Sequence, residues 1–588
     1  MQATRRPSRW NFPEIDLDRA RGLSAQLNIA PLTARILVRR GHADADAALR
    51  FLRPSLDSLH DPFLMKGMDV AARRLLQAVR NNEKILLYGD YDVDGTTSIV
   101  LLSKVLQMAG SNAGFHVPHR IKDGYGMRPE VIREAAQNGI RLIVSVDTGI
   151  RANDVVKYAR ELGVDVIVTD HHLPEAEIPP GIAVLNPNQP GCEYPEKNLC
   201  GAGVAFKLVQ ALLRLMEIPE SRARRLTESF LKIVAIATVA DVVPLIGENR
   251  VIVKHGLDGL TGTSNLGLRS LLGVAGFQPG EAPTAGQVAF RLAPRINATG
   301  RMDSAANVIE LFLTSDEARA RELSLLLDEF NKERQEVERT ILAAALKETE
   351  EWPVDDERRA LVFAGEGWHR GVAGIVASRL VERFHRPVFV LEIDPVKQQA
   401  VGSGRSVSGF HLLDALESMP ELFVKFGGHR QAAGLTIEAS RISEFRERFA
   451  LYARERLAAE ELCPRYEIDA DLDLRELTPS TGREVLSLGP FGYGNPAPVL
   501  AVRGATLREP PSILKEKHLK FFLQKDRYPL LCKAWNWAER LNEFPADSQT
   551  PVDAVFALEE DSYSGFSATL RDLRKAAIHG RSRLSDGG

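Results

Sequence analysis

From residue 84 to residue 170 the chain alternates between short apolar runs and segments of helical period, and three of the apolar runs close on an aspartate. E-K-I-L-L-Y-G-D is followed by T-T-S-I-V-L-L-S-K-V-L-Q-M-A-G, a helical pattern that stops on glycine, and then by the extended G-F-H-V-P-H. P-E-V-I-R-E-A-A-Q-N-G, I-R-L-I-V-S-V-D, N-D-V-V-K-Y-A-R-E-L-G and V-D-V-I-V-T-D repeat the pattern. Short apolar runs without polar alternation suit strands buried on both faces, and strands that alternate with helices build a parallel sheet covered by helices. An α/β domain is predicted. In such a sheet functional groups gather at the carboxyl ends of strands, so these termini are expected to meet in one crevice.

What stands at those termini is acidic. Y-G-D-Y-D-V-D-G places Asp90, Asp92 and Asp94 between a predicted strand and a predicted helix, and three carboxylates so close together repel unless a cation joins them. The D-x-D-x-D-G start also matches a calcium loop, but Leu101 stands where a bidentate glutamate belongs and a strand precedes the loop. Asp147 ends the run I-R-L-I-V-S-V-D and Asp170 the run V-D-V-I-V-T-D, with His171 and His172 following directly, and Asp241 closes the apolar run I-V-A-I-A-T-V-A-D. Any one of these aspartates could be a cap or turn residue; turn chemistry alone does not account for all of them at strand ends. Carboxylate oxygens with an imidazole suit Mn²⁺ or Mg²⁺.

With 588 residues the chain is too long for one core. Residues 315–350 carry helix formers without glycine or proline, which predicts a long helix joining two domains. A second α/β segment starts at R-A-L-V-F-A-G, and the last 120 or so residues break into short alternating runs that suggest a small β-barrel. The expected organisation is an N-terminal helical cap (1–60), a catalytic domain (61–312), a connecting helix (313–352), a substrate-binding domain (353–460) and a barrel (461–580).

A net charge of −3 excludes a polybasic binder, so any nucleic-acid footprint must be local. One exists: residues 515–540 hold an excess of four positive charges, interleaved with Phe521, Phe522, Trp535 and Trp537. Basic grooves with aromatic platforms bind single strands, while alternation requires one aromatic of each pair to fill the barrel core. Cys192, Cys200, Cys463 and Cys532 form no C-x-x-C pair, which points to a reducing cytoplasm. The longest apolar stretch, around residues 233–246, is interrupted by Asp241, so neither secretion nor a membrane span is expected.

G-D-Y-D-V-D-G, V-D-T-G, D-H-H and A-D-V-V-P-L, in this order, resemble the four motifs of the DHH phosphoesterase superfamily. R-I-N-A-T-G-R-M-D, G-W-H-R-G-V-A-G-I-V-A-S-R-L, G-S-G-R-S and F-G-G-H-R-Q-A-A-G resemble segments of its RecJ branch, including the DHHA1 domain, and G-P-F-G-Y-G-N-P-A-P resembles the entry to that branch's oligonucleotide-binding (OB) barrel. The likeness covers nearly all of the chain beyond residue 60. It implies a parallel-sheet DHH domain joined by a long helix to a smaller α/β DHHA1 domain and then an OB-fold barrel. The implied activity is a metal-dependent exonuclease that releases 5′-mononucleotides from the 5′ end of single-stranded DNA, in recombination and mismatch repair.

The resemblance also implies roles. Two divalent ions, Mn²⁺ or Mg²⁺, would share Asp147 as the bridging ligand, with Asp90, Asp92, Asp94, His171 and Asp241 completing both shells. Asp170 would orient an imidazole, and His172 would face the scissile phosphate or else be a structural histidine bonded to Asp170. Ser403, Arg405, Ser406, Gly427, Gly428 and His429 would bind substrate phosphate. Arg370 is a further substrate-binding candidate, although it and Arg430, beside His429, stand where the family pattern has other side chains. Arg295, Asn297 and Arg301 would touch the strand or brace the domain junction. Implied partners are single-stranded DNA, single-strand-binding protein and a recombination helicase; a monomer is expected. No G-x-x-x-x-G-K-[ST] loop suggests ATP use. A phosphodiesterase for very short or cyclic dinucleotides would use the same centre, and a non-catalytic DNA-binding scaffold is the alternative of another class.

Overall fold

Five parallel strands form the first sheet, in the order Gly114–His116, Lys84–Tyr88, Ile140–Val146, Asp165–Thr169, Ala183–Leu185. The chain turns outward from Lys84–Tyr88 in one direction and then in the other, so the strand order reverses there. A crevice opens at the carboxyl ends on either side of such a switch point. One face of the sheet packs Ile85, Leu87, Leu142 and Val144 against apolar residues of the helices Met68–Arg80, Val93–Met108, Gly201–Leu215 and Glu220–Ala240. The other packs Tyr88, Ile143, Val166 and Val168 beneath Pro129–Gln137 and Asn153–Glu161. Burial on both faces explains why these strands read as continuous apolar runs.

The computed structural model describes residues 8–111, 113–119, 124, 126–302, 304–350, 352, 358–458, 461–545 and 547–576; the expected boundaries at residues 1, 353, 460 and 580 lie outside them. The long helix is Glu317–Glu350, 34 residues, or about 50 Å at the usual rise per residue. It leads to a second sheet ordered Phe423–Gly428, Ala432–Glu438, Gln399–Arg405, Val388–Asp394, Leu361–Glu366, in which only the last pair is parallel. Helix Arg370–Phe384 covers one face of this sheet and Ile442–Arg456 the other.

Among the described residues, Leu56–Cys463 and Gly492–Gly494 form one unit, and residues 8–55, 464–491 and 495–576 a second. In the second, Leu500–Leu507, Val552–Asp561, Gly565–Lys575, Tyr528–Ala534 and His518–Lys525 pair in sequence, and the last returns to the first through Thr506 opposite Gln524 and Leu507 opposite Leu523. A five-stranded barrel is thereby closed. Phe521 and Trp537 are buried within it, while Trp535 is 40% exposed and lies edge-on to His518. The N-terminal helices Leu17–Leu27, Pro31–Arg39 and Ala45–Leu52 share the barrel's core. The strand Arg9–Asn11 pairs with Arg465–Glu467, and Arg40 meets Asp469 at 2.9 Å. All four cysteines are buried free thiols. Among the described residues no helix is long and apolar enough to cross a membrane.

Candidate metal centre and phosphate site

Asp92 caps the helix Val93–Met108, its Oδ1 accepting from the backbone N–H of Asp94 at 2.9 Å and of Gly95 at 3.1 Å. Capping uses one oxygen of a carboxylate that has two, so the cap and ligand readings of Asp92 coexist. The turn closes so tightly that a Cβ on Gly95 would lie 2.5 Å from the Asp90 carbonyl oxygen. Asp147 follows its strand at φ 57°, left-handed backbone that aspartate tolerates. Val242, directly after Asp241, has φ 59°, which a β-branched residue rarely adopts. Strain of this kind persists where a site needs it.

Asp94 is held from the opposite side. Its two oxygens accept the backbone N–H groups of Gly201 at 2.5 Å and Ala202 at 2.7 Å, at the positive end of the helix Gly201–Leu215. Asp241 sits at the C-terminal, negative end of the helix Glu220–Ala240, where a second negative charge is disfavoured without a cation. Between them stands His171: its Nε2 lies 3.2 Å from Asp147 Oδ1, 3.7 Å from Asp241 Oδ2 and 3.8 Å from Asp94 Oδ2. That nitrogen is buried and makes no hydrogen bond among the described residues. The donor atoms of Asp94, His171 and Asp241 lie within 4.8 Å of one another, as do those of Asp147, His171 and His172 and those of Asp90, Asp92 and Asp147. Two triads thus share Asp147.

Asp170 differs from the other aspartates. One oxygen meets His172 Nδ1 at 2.7 Å and accepts from the His171 backbone N–H at 2.7 Å and that of His172 at 3.1 Å; the other accepts from Ile150 N at 2.9 Å. Its contacts face an imidazole and the backbone.

Electrostatics separates these groups. Burial pushes the Asp147 carboxyl well above its ordinary range, and the charges of Asp94, Asp92, Asp90 and Asp241 add to the effect. Burial likewise raises Asp94, and it takes Asp241 up to about 9 with help from Asp94 and Asp92. His171 is lowered, burial being the main cause. Burial is the largest influence on both Asp170 and His172 and opposes their charge, but their mutual hydrogen bond and attraction, with the Ile150 N–H at Asp170 and the charges of Asp94 and Asp92 at His172, together outweigh it, holding the carboxyl low and the imidazole high. Crowded carboxylates that protonate without a cation, beside a buried ring nitrogen with no hydrogen bond, form a donor set that fits divalent ions.

The phosphate candidates form a second group. Ser403 and Arg405 lie on the middle strand of the second sheet, opposite Gly434 and Ala432, and Gly427 and Gly428 lie one strand further, with His429 in the turn that follows. An Arg405 amine reaches Ser403 Oγ at 3.0 Å, and a Cβ on Gly374, in the helix Arg370–Phe384, would meet both side chains at about 3 Å. Ser406 turns aside, its hydroxyl donating to the Phe410 carbonyl at 3.0 Å. Arg370 pairs with Glu392 at 3.3 Å and Arg430 donates to the Ser408 carbonyl. Arg295 bonds Asp328 of the long helix at 2.9 Å, Asn297 accepts the Val93 N–H at 3.1 Å, and Arg301 donates to the Gly371 carbonyl. These last three tie the helix Ala293–Met302 to the long helix, to the acidic loop and to the second domain respectively.

Comparison with known proteins gives this arrangement a lineage. The DHH family N-terminal domain matches residues 84–238, the DHHA1 domain residues 357–455 and the RecJ OB domain residues 468–569. The single-stranded-DNA-specific exonuclease RecJ of Bacillus subtilis is 41% identical over 553 residues, covering 94% of this chain and 69% of its own length. RecJ of Dickeya dadantii is 39% identical, over 92% of this chain and 94% of its own length. The chain belongs to the RecJ family. The crystal structure of Thermus thermophilus RecJ with Mn²⁺ superimposes with a TM-score of 0.81 at 32% identity, covering 97% of this chain and 80% of that one; a structure with Mg²⁺ gives 0.75. The RecJ domain matches fall in both units, DHH and DHHA1 in the first and OB in the second.

Several residues that shape the site carry no sequence signal of their own chemistry. Gly201 is one: a Cβ there would lie 2.7 Å from Asp147 Cβ and 2.9 Å from Asp94 Oδ2. Asn186 and Asn188 donate to the carbonyls of His172 and His171 at 2.9 and 3.0 Å. Tyr493, far along the chain, accepts the Leu245 N–H at 2.7 Å beside the loop that carries Asp241. C-G-A-G before an apolar run is readable as a helix start, but not as the clamp on Asp94.

Proposed function

We propose that this chain hydrolyses single-stranded DNA from the 5′ end to 5′-mononucleotides, with two divalent ions, Mn²⁺ or Mg²⁺, held by Asp90, Asp92, Asp94, Asp147, His171 and Asp241. The observation that carries this reading is the chain of linked donor groups, in which Asp90, Asp92 and Asp147 lie together, Asp94, His171 and Asp241 lie together, and His171 approaches Asp147 at 3.2 Å. Bound ions would supply Lewis-acid stabilisation of charge on the phosphate oxygens. The chain's own residues do the rest. Asp170 holds the His172 ring by its Nδ1 at 2.7 Å and fixes its orientation, and the imidazole, held high in pKa, would face a phosphate oxygen. Ser403 and the Arg405 guanidinium offer a hydroxyl and a planar donor fork to a phosphate, and a terminal 5′-phosphate with two charges gains most from them. Beyond the centre, the barrel's exposed Trp535 and surrounding lysines would hold the strand. Action as a cytoplasmic monomer in recombination and mismatch repair, recruited by single-strand-binding protein and a helicase, completes the proposal.

The test is nucleotide release from 5′-labelled and 3′-labelled strands, single and double, with Mn²⁺, Mg²⁺ or chelator, in wild type and Asp147→Ala. Labelled mononucleotide appearing first from 5′-labelled single strands, abolished by chelator and by the substitution, is expected. Early release from the 3′ label overturns the polarity, and undiminished release by Asp147→Ala overturns the centre.

A further inference from the structure

Far from the carboxylates, the first unit contains a cleft of about 340 Å³ whose chemistry the hydrolysis does not use. It lies among the helices Val93–Met108 and Glu220–Ala240, the start of Leu266–Val274 and the end of Ala306–Leu313. Two lysines line it, Lys104 and Lys232, and no acidic residue does. Lys104 follows Asp94 by ten residues on one helix and Lys232 precedes Asp241 by nine on another. At the helical rise this places each amine's backbone about 14 to 15 Å from the metal centre.

Neither lysine has an ion pair among the described residues, and burial alone pushes the Lys104 amine down, with no acid opposing it. The same domain shows how it treats a structural lysine: Lys207, fully buried, pairs with Glu248 at 2.7 Å and donates to the His60 carbonyl. Both lysines are half-buried in one cleft, and the desolvation of Lys104 is a cost that a bound anion would offset. Hydroxyls surround them. Thr263 and Thr314 accept from the Asn265 and Asp316 N–H groups, so their own O–H groups remain to donate, and Ser229 and Ser315 add two more. Phe230, Ile233, Leu266, Leu268 and Leu313 give the same lining apolar surface. A water takes about 30 Å³, so the cleft is several times larger than a bare oxyanion needs.

We propose that this cleft binds a 5′-nucleotide, the phosphate between Lys104 and Lys232 and the base against the apolar surface, at a site separate from the metal centre. Product mononucleotide and other cellular nucleotides share this chemistry. Titration calorimetry with deoxyadenosine 5′-monophosphate, inorganic phosphate and deoxyadenosine tests it, on the full chain in chelator so that the acidic centre repels phosphate. The monophosphate should bind, deoxyadenosine should not, and inorganic phosphate should bind at least tenfold more weakly. Lys104→Met with Lys232→Met should weaken binding at least tenfold, Lys104→Arg with Lys232→Arg should retain it, and Arg405→Ala should leave it unchanged. Thermal melts check that the variants fold. No binding, binding indifferent to the lysine charge, or binding lost in Arg405→Ala overturns the site; inorganic phosphate binding as tightly as the nucleotide overturns the assignment to a nucleotide. Because the titration contains no metal, its result is independent of whether the chain proves to be an exonuclease.

Discussion

Gly201 is a position where one methyl group separates two requirements. The helix start must come close enough to donate two N–H groups to Asp94, and the same approach leaves no room between the Asp94 and Asp147 carboxylates. Gly201→Ala is therefore expected to displace both side chains. Displacements near 1 Å cost about a hundredfold in rate at such centres. Nucleotide release should fall by that order and need more Mn²⁺ for half-activation, while the melting temperature moves little; wild-type kinetics would show that the helix yields instead. The acidic residues themselves were readable because Asp90, Asp92 and Asp94 are neighbours and each strand announces its own end. Gly201 was not, since its contact with Asp94 spans 107 positions and a glycine before an apolar run looks like any helix start. Asn186 and Asn188 were hidden in the same way, acting on the carbonyls of the histidines and not on their rings.

At the scale of elements, legibility followed burial. Strands covered on both faces and the uninterrupted helix Glu317–Glu350 carry periodicity strong enough to read. The antiparallel mixture of the second sheet depends on pairing between distant runs, which periodicity does not encode. In the barrel, alternation placed one aromatic of each pair inside, and the structure selects Phe521 and Trp537. Barrel strands are also tied across their ends: Asp561 bonds Lys533 at 2.9 Å, and it accepts from the Tyr563 and Ser564 N–H groups. The Lys533 hydrogen bond leads in holding the Asp561 carboxyl well below its usual range. A carboxyl depressed in the folded state contributes stability that is complete above its unfolded value, about 3.9, and is lost as pH falls through the folded value. Asp561→Asn should accordingly lower the barrel's urea midpoint at pH 7 and have a shrinking effect below pH 4. A difference that stays constant down to pH 2 would show that charge contributes nothing to the tie.

Over the whole molecule, the N-terminal helices and the barrel show how chain order and spatial order diverge. Amphipathic segments near residues 17–52 advertise a buried face without indicating what covers it, and the cover lies more than 400 residues away. Leu32, Ile36 and Leu37 are 1% exposed or less, and Phe51 is 7% exposed, in the core they share with barrel residues such as Leu500, Val502 and Leu519. Burying four such side chains contributes up to about 6 to 12 kcal/mol, comparable to the whole stability of an ordinary domain. The barrel should therefore depend on the chain's first 55 residues, although it closes its own hydrogen-bonded ring. In a chain that begins at Leu56, limited proteolysis should degrade the region from residue 464 onward while Leu56–Cys463 resists, and calorimetry should lose one transition and keep another. If the barrel stays resistant, its closed ring suffices and the N-terminal helices are passengers. If both units are degraded together, the two are coupled more tightly than their separate cores imply.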